Sequence, residues 1–206
     1  VNDVLVSTNK HLDLFKTGLR IGTASTRRVA FLKHYYPNIE AVTVRGNLQT
    51  RIEKMKAGEC DALMLAYAGV HRMGYDHLIA EKIETSYFVP AVGQGCIAIE
   101  CHKKLDFKKK DAVQRYINHP DTEDCLRAER SFLKTLQGGC SIPSFGYAHY
   151  EGNLITLKAG IISLDGKRVV KIKDAAPAIE AEELGRRVAM EVLAEGGHEI
   201  LEKIKK

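Results

Sequence analysis

Between residues 19 and 67 the chain alternates short apolar runs with amphipathic stretches, and that rhythm restricts its fold more than any other feature. Residues 19–22 predict a short strand, and Thr23-Ala24-Ser25 supplies a turn with capping hydroxyls. Residues 26–36 read as a helix stopped by Pro37, since the position before a proline disfavours helical backbone. A β-branched strand follows over 39–44, then a helix from an Asn47 cap to about Ala57, with Gly58 as its stop. Residues 61–67 read as a buried strand and 68–73 as a helical turn ending at Gly74. Strands separated by helices are joined by crossovers, so these three are expected to lie parallel in an α/β sheet.

The pattern changes downstream. Pro90-Ala91-Val92-Gly93-Gln94-Gly95 reads as a hinge leading into a strand over 96–101. A helix is predicted at about 111–118, a break at Pro120, and a strong helix over 122–137 with Thr122 as its N-cap. Residues 147–150, 153–163 and 167–173 read as antiparallel strands, with turns at 151–153 and Asp165-Gly166. Helices at about 177–194 and 198–204 complete an α+β module distinct from the preceding α/β part.

Length and charge bound the function. The 206 residues suffice for one large domain or two small ones, and no apolar run approaches the roughly 20 residues of a membrane span. Val1 is not an initiator, so the chain is expected to be a fragment. Five cysteines without a CxxC pair suggest reduced thiols and a cytoplasmic location. A net charge of +5 suits nucleic acid or a small acidic ligand. The lysines concentrate in 103–110 and near the C-terminus, the pattern of a solvated surface, which makes a nucleic-acid binder a distant third reading.

The arginines are more informative. Arg27 and Arg28 fall in the first turns of a helix directly after a strand, Arg51 does the same after Asn47, and Arg45 ends the preceding strand. Cations there oppose the helix dipole, at about 0.3–1 kcal/mol each. Ligands of open α/β sheets bind where strands end and helices begin, and guanidinium groups match carboxylates in bidentate fashion. Each arginine alone could simply point into water, but two corners carrying them favour an anion clamp. Cys140 follows Gly138-Gly139 at a helix end, an elbow that could expose a nucleophile. From spacing alone it reads as a structural cysteine. Cys60 and Cys125 read as core. Cys96, Cys101 and His102 fit no common zinc spacing, so no metal is expected.

Taken together, the segments resemble porphobilinogen deaminases. The resemblance rests on Ile21-Gly22-Thr23-Ala24-Ser25-Thr26-Arg27-Arg28, Val44-Arg45-Gly46-Asn47 with Thr50-Arg51, and Asp61-Ala62-Leu63-Met64-Leu65-Ala66. It continues through Ala68-Gly69 with Arg72-Met73-Gly74, Val89-Pro90-Ala91-Val92-Gly93-Gln94-Gly95, Ala128-Glu129-Arg130 and Leu136-Gln137-Gly138-Gly139-Cys140. It implies stepwise condensation of four porphobilinogen molecules, with loss of ammonia, into hydroxymethylbilane for heme biosynthesis. Cys140 would hold a dipyrromethane cofactor covalently, which reverses the reading from spacing. Thr23, Ser25, Arg27, Arg28, Arg45 and Arg51 would bind cofactor carboxylates, and Arg27, Arg51 and Arg72 those of substrate.

The resemblance also implies an architecture. Residues 1–92 would form most of a second domain, α/β and like half of a periplasmic binding protein. Residues 93–117 would return to a truncated first domain, and 118–206 would form the cofactor-bearing α+β domain with an antiparallel sheet. The family's catalytic aspartate would lie upstream of Val1, so the chain alone is expected to be inactive, with an unpaired 96–101 edge inviting self-association. Ala24, Thr26, Gln137, Ser141 and Ser144-Phe145 depart from the usual pattern without removing an arginine or the cysteine. The rival reading is a non-catalytic module that binds an acidic metabolite.

Overall fold

The structure, a computed structural model, describes residues 1–139 and 141–205. A five-stranded sheet is built from β1 (Asp3–Val6), β2 (Arg20–Gly22), β3 (Glu40–Val42), β4 (Ala62–Ala66) and β5 (Ile79–Lys82), in the order β3-β2-β4-β1-β5. As the alternation predicts, β2 runs parallel to both β3 and β4. β1 lies antiparallel to β4 and β5, which makes the sheet mixed. Helices α1 (Thr26–Tyr35), α2 (Leu48–Lys56) and α3 (Tyr67–Arg72) follow β2, β3 and β4. Ser25 caps α1 by accepting from the Arg28 amide, and Asn47 caps α2 by accepting from the Thr50 amide.

Side-chain alternation sorts the sheet's two faces. Leu5, Ile21 and Met64 pack with Ala30, Phe31 and Leu32 of α1. Val4, Val6, Leu63 and Leu65 pack with Ile52 and Met55 of α2 and Val70 of α3. Both faces are covered, which is why these strands read as continuous apolar runs.

The second sheet is an antiparallel meander of β6 (Ser144–Glu151), β7 (Leu154–Ile162) and β8 (Val169–Pro177). The predicted turns hold: Gly152 and Gly166 both adopt positive φ. One sheet face packs on α5 (Pro120–Thr135) and α6 (Ala181–Val192), through Phe132, Leu136, Ile155, Leu157, Leu184 and Val188. α7 (His198–Lys205) follows a kink at Gly196 and adds Ile200 and Leu201. Phe145 and Ile162 join the core beneath α1, so the two sheets share apolar packing.

Three expectations are corrected. Residues 96–101 form no strand: no neighbouring strand offers them a ladder among the described residues, and Ile97 and Ile99 are exposed. They lead instead to α4 (Phe107–Ile117), longer than predicted and with no buried residue. Pro120 begins α5 rather than breaking the chain, because the first turn needs no amide there, and His119 rather than Thr122 is the N-cap. At the end of α5 Gln137 adopts left-handed backbone, at φ 54°. Gly138 meets a different demand, since a Cβ there would lie 2.5 Å from Leu133.

α5 and α6 cross closely at Gly185, where a Cβ would stand 2.1 Å from the Ala128 carbonyl oxygen. Alanine gains about 1 kcal/mol in helix propensity over glycine, but overpacking a rigid backbone contact costs about 1–3 kcal/mol. Gly185→Ala is therefore expected to lower the urea unfolding midpoint. An unchanged or raised midpoint would mean that the two helices separate freely.

Candidate functional site

The parallel strands end at one edge of the sheet, and β1, running the other way, begins there: Asp3 lies opposite Ala66, the last residue of β4. At the same edge β2 hands over to α1 through Thr23 and Ser25. Thr23 is buried, and its hydroxyl accepts from the Ser25 amide at 3.3 Å.

Arg27 and Arg28 turn inward to Asp3. Arg27 Nη2 meets Asp3 Oδ2 at 2.8 Å, and Arg28 Nη2 and Nε meet Oδ1 at 2.8 and 2.9 Å. Arg27 also donates to the Val89 carbonyl at 2.8 Å, and Arg28 to the Met64 carbonyl at 3.2 Å. The Arg27 guanidinium carbon lies 5.7 Å from the Phe88 ring centroid and 6.0 Å from that of Phe31. Side-chain exposure is 4% for Arg27, 11% for Arg28 and 0% for Asp3. Burial pushes the Arg27 guanidinium below its ordinary pKa while Asp3 opposes that shift.

Gln94 closes the cluster. Its Oε1 accepts from Arg27 Nη2 at 3.3 Å and Arg28 Nη2 at 3.4 Å, and its Nε2 donates to Asp3 Oδ1 at 3.2 Å. Two guanidinium groups face one carboxylate, which leaves the cluster with a net positive charge. Arg27 Nε is buried without a partner. An excess buried cation with an unused donor is the arrangement that an added anion relieves.

The other predicted arginines stand apart from this pair. Arg51 is half-buried and donates through Nε to the Gly46 carbonyl at 2.7 Å, across the β3–α2 turn. Arg45 is exposed just before that turn, and Arg72 is exposed at the C-terminal end of α3. Among the described residues none of the three forms an ion pair, and no hydrogen bond joins them to the Asp3 cluster. Cys140 lies outside the described residues. On either side of it Leu136 and Pro143 are buried, and the Ile142 amide donates to the Gly139 carbonyl at 2.9 Å. Cys60 is buried, and burial pushes the half-buried Cys125 thiol up to about 11, consistent with core roles.

Sequence reasoning overlooked Asp3 and Gln94 as site residues. A lone carboxylate opening the apolar strand Asp3-Val4-Leu5-Val6 was the available signal for the first. Glu129 occupies a specific place between two segments of the chain. It is 5% exposed on α5, and its Oε2 accepts from the Gly93 amide at 2.6 Å while Oε1 accepts from the Ala148 amide at 2.8 Å. The Gly146 amide donates to the Pro90 carbonyl at 3.0 Å. The segment expected as a hinge is thus tied to both halves of the molecule.

Burial raises the Glu129 carboxyl to about 7, outweighing the two amide donors that favour its charged form. Folding then takes up a proton between about pH 4.5 and 7, so the stability this group contributes declines as pH rises through that window and levels off above it. Glu129→Gln is expected to remove that slope. It would also leave an amide nitrogen facing one N–H donor, at about 1–3 kcal/mol. Urea midpoints from about pH 5 to 8 check both effects, and an unchanged pH slope in Glu129→Gln would exclude the assignment.

Residues 1–110 match the family described as "Porphobilinogen deaminase, dipyromethane cofactor binding domain", and residues 124–194 match "Porphobilinogen deaminase, C-terminal domain". The chain is 48% identical over 206 residues to the porphobilinogen deaminase of Desulfosudis oleivorans and 49% identical over 208 residues to that of Cytophaga hutchinsonii. These alignments cover 99% and 100% of the chain but 66% of each relative's length. The Geotalea uraniireducens relative is 41% identical over 203 residues, covering 98% of the chain and 63% of that relative.

Proposed function

We propose, from the premise that this chain belongs to the porphobilinogen deaminase family, that it supplies the anion-binding and cofactor-bearing parts of a hydroxymethylbilane synthase. That transferase would condense four porphobilinogen molecules, releasing ammonia at each step, in the tetrapyrrole pathway of the cytoplasm. The observation that carries the reading is the buried Asp3–Arg27–Arg28 cluster, whose net positive charge and unused Arg27 donor suit a carboxylate-bearing ligand. No helix among the described residues is long and apolar enough to cross a membrane.

Each residue then has a physical task. Arg28, the less buried of the pair, presents its guanidinium to ligand carboxylates while Asp3 holds its orientation. Arg27 supplies charge from behind, with Phe31 and Phe88 keeping water away and strengthening its field. Thr23 and Ser25 shape the turn that delivers the first amides of α1 toward the same anion. The outer arginines Arg45, Arg51 and Arg72, free of ion pairs among the described residues, are available to further carboxylates of a growing chain. Cys140 anchors a dipyrromethane, which when bound would supply the primer that substrate extends. We further assign residues 1–92 to the second domain and 118–206 to the cofactor-bearing one. Residues 93–117 would be the segment that meets a first domain, with the exposed Ile97, Ile99, Phe107 and Tyr116 as its contact surface.

Two measurements test this reading. Intact mass of the full-length protein should show an adduct that Cys140→Ser eliminates and that Cys60→Ser and Cys125→Ser retain. An adduct persisting in Cys140→Ser refutes the anchor. A charge-assisted contact is worth about 1.5–3 kcal/mol, so Arg28→Ala should weaken porphobilinogen binding by roughly tenfold or more in calorimetric titration. Lysine should rescue poorly, because a point charge cannot reproduce the guanidinium fork. Unaltered affinity in Arg28→Ala would overturn the clamp.

A further inference from the structure

The geometry points to Gln94 as a positioning residue that couples occupancy of the arginine pair to the contact between Gly93 and Glu129. This rests on the reading that Arg27 and Arg28 take a ligand carboxylate.

Adjacent residues of one turn face two different structures. The Gln94 side chain ends among Arg27, Arg28 and Asp3, beside the five-stranded sheet. One residue earlier, the Gly93 amide donates to Glu129 on α5, the helix that leads to Gly138-Gly139. Glu129 in turn holds the Ala148 amide of β6. A shift of the Gln94 side chain therefore pulls on a turn whose next link is the module carrying the predicted anchor.

Charge explains why such a shift would accompany binding. Gln94 Oε1 is a neutral acceptor, held at 3.3 and 3.4 Å, at the long end of hydrogen bonding. A carboxylate oxygen on the same guanidinium groups makes charge-assisted bonds about twice as strong and neutralises the excess buried cation. As an acceptor Gln94 is thus the weakest ligand of the pair and the first to yield, pivoting about the bond its Nε2 donates to the Val1 carbonyl at 2.5 Å. It also has somewhere to go, because a cavity of about 330 Å³ adjoins it, lined by Cys96, Cys125, Glu129 and Tyr147. Gly93 and Gly95 flank it with φ of 72° and 86°, so the turn is held in left-handed conformations at both sides of the yielding side chain. Because binding free energies are reciprocal, whatever weakens the Gly93–Glu129 contact must also change affinity at the arginines.

Hydrogen exchange on the full 206-residue chain, followed by amide NMR with and without saturating porphobilinogen, tests the coupling. In the unaltered chain the Gly93 amide should exchange about tenfold faster when ligand is bound, a typical coupling magnitude. In Gln94→Ala, ligand should leave that rate unchanged. Gln94→Glu, which places a carboxylate of the chain's own on the pair, should weaken porphobilinogen binding by about tenfold. Binding that depends on Arg28, together with a Gly93 rate unmoved by ligand or moved equally in Gln94→Ala, overturns the relay and leaves the clamp standing. Absence of Arg28-dependent binding overturns both.

Discussion

The carboxylate of Asp3 lies fully buried between two guanidinium groups, and much of the molecule is arranged around keeping it there. Charges removed from water are tolerated only when paired and hydrogen-bonded. Asp3 holds its place because β1 enters the sheet antiparallel, so that its first residue meets the edge where the parallel strands end. The same edge starts α1, whose first turn brings both arginines to within 2.9 Å of that carboxylate. Removing Asp3 would leave two like charges facing each other in a low-dielectric interior. Moving it to the other end of β1 would leave the arginines with only neutral acceptors, the Val89 and Met64 carbonyls and Gln94.

α1 carries the consequences across the molecule. Its N-terminal turn bears the arginines, and its middle bears Phe31, whose ring centroid lies 4.8 Å from that of Phe88 and 5.0 Å from that of Phe145 on β6. At its C-terminal end Lys33 donates to the Leu164 carbonyl, and His34 Nδ1 lies 2.7 Å from the Gly166 carbonyl in the β7–β8 connection. A cation in the last turn also suits the helix dipole. One ten-residue helix therefore joins the charged cluster to the meander, while the 90–94 crossover joins them a second time through Gln94 and Gly93. Two independent ties make the relative placement of the parts a matter of packing rather than of a free linker.

What could be read in advance was local. Ser25 and Asn47 cap helices for reasons contained in four consecutive residues, Gly58 and Gly74 end them by accepting left-handed backbone, and Asp165-Gly166 turns a hairpin. The arginines at helix starts were legible as an anomaly, because cations there work against the backbone dipole and demand a compensating anion. That anion is 24 and 25 residues away in sequence, and the amide completing the set is 67 and 66 away, distances at which spacing carries no information. The expected 96–101 strand failed for a related reason: a β pattern states a capacity to pair, and pairing needs a neighbour that the described residues do not place there.

The sequence by itself determined the alternation of strands and helices, the antiparallel meander that follows, and the residue types able to grip carboxylates. It did so because periodicity, capping and turn chemistry act over a few residues and need no partner. Only the tertiary structure decided that Arg27 and Arg28 share Asp3, that Glu129 is a buried acceptor for two backbone amides, and that the Gly93-Gln94 turn is fastened on both sides. Those outcomes depend on burial and on which groups meet across the fold. Charge and desolvation assign them after the chain has closed, not before.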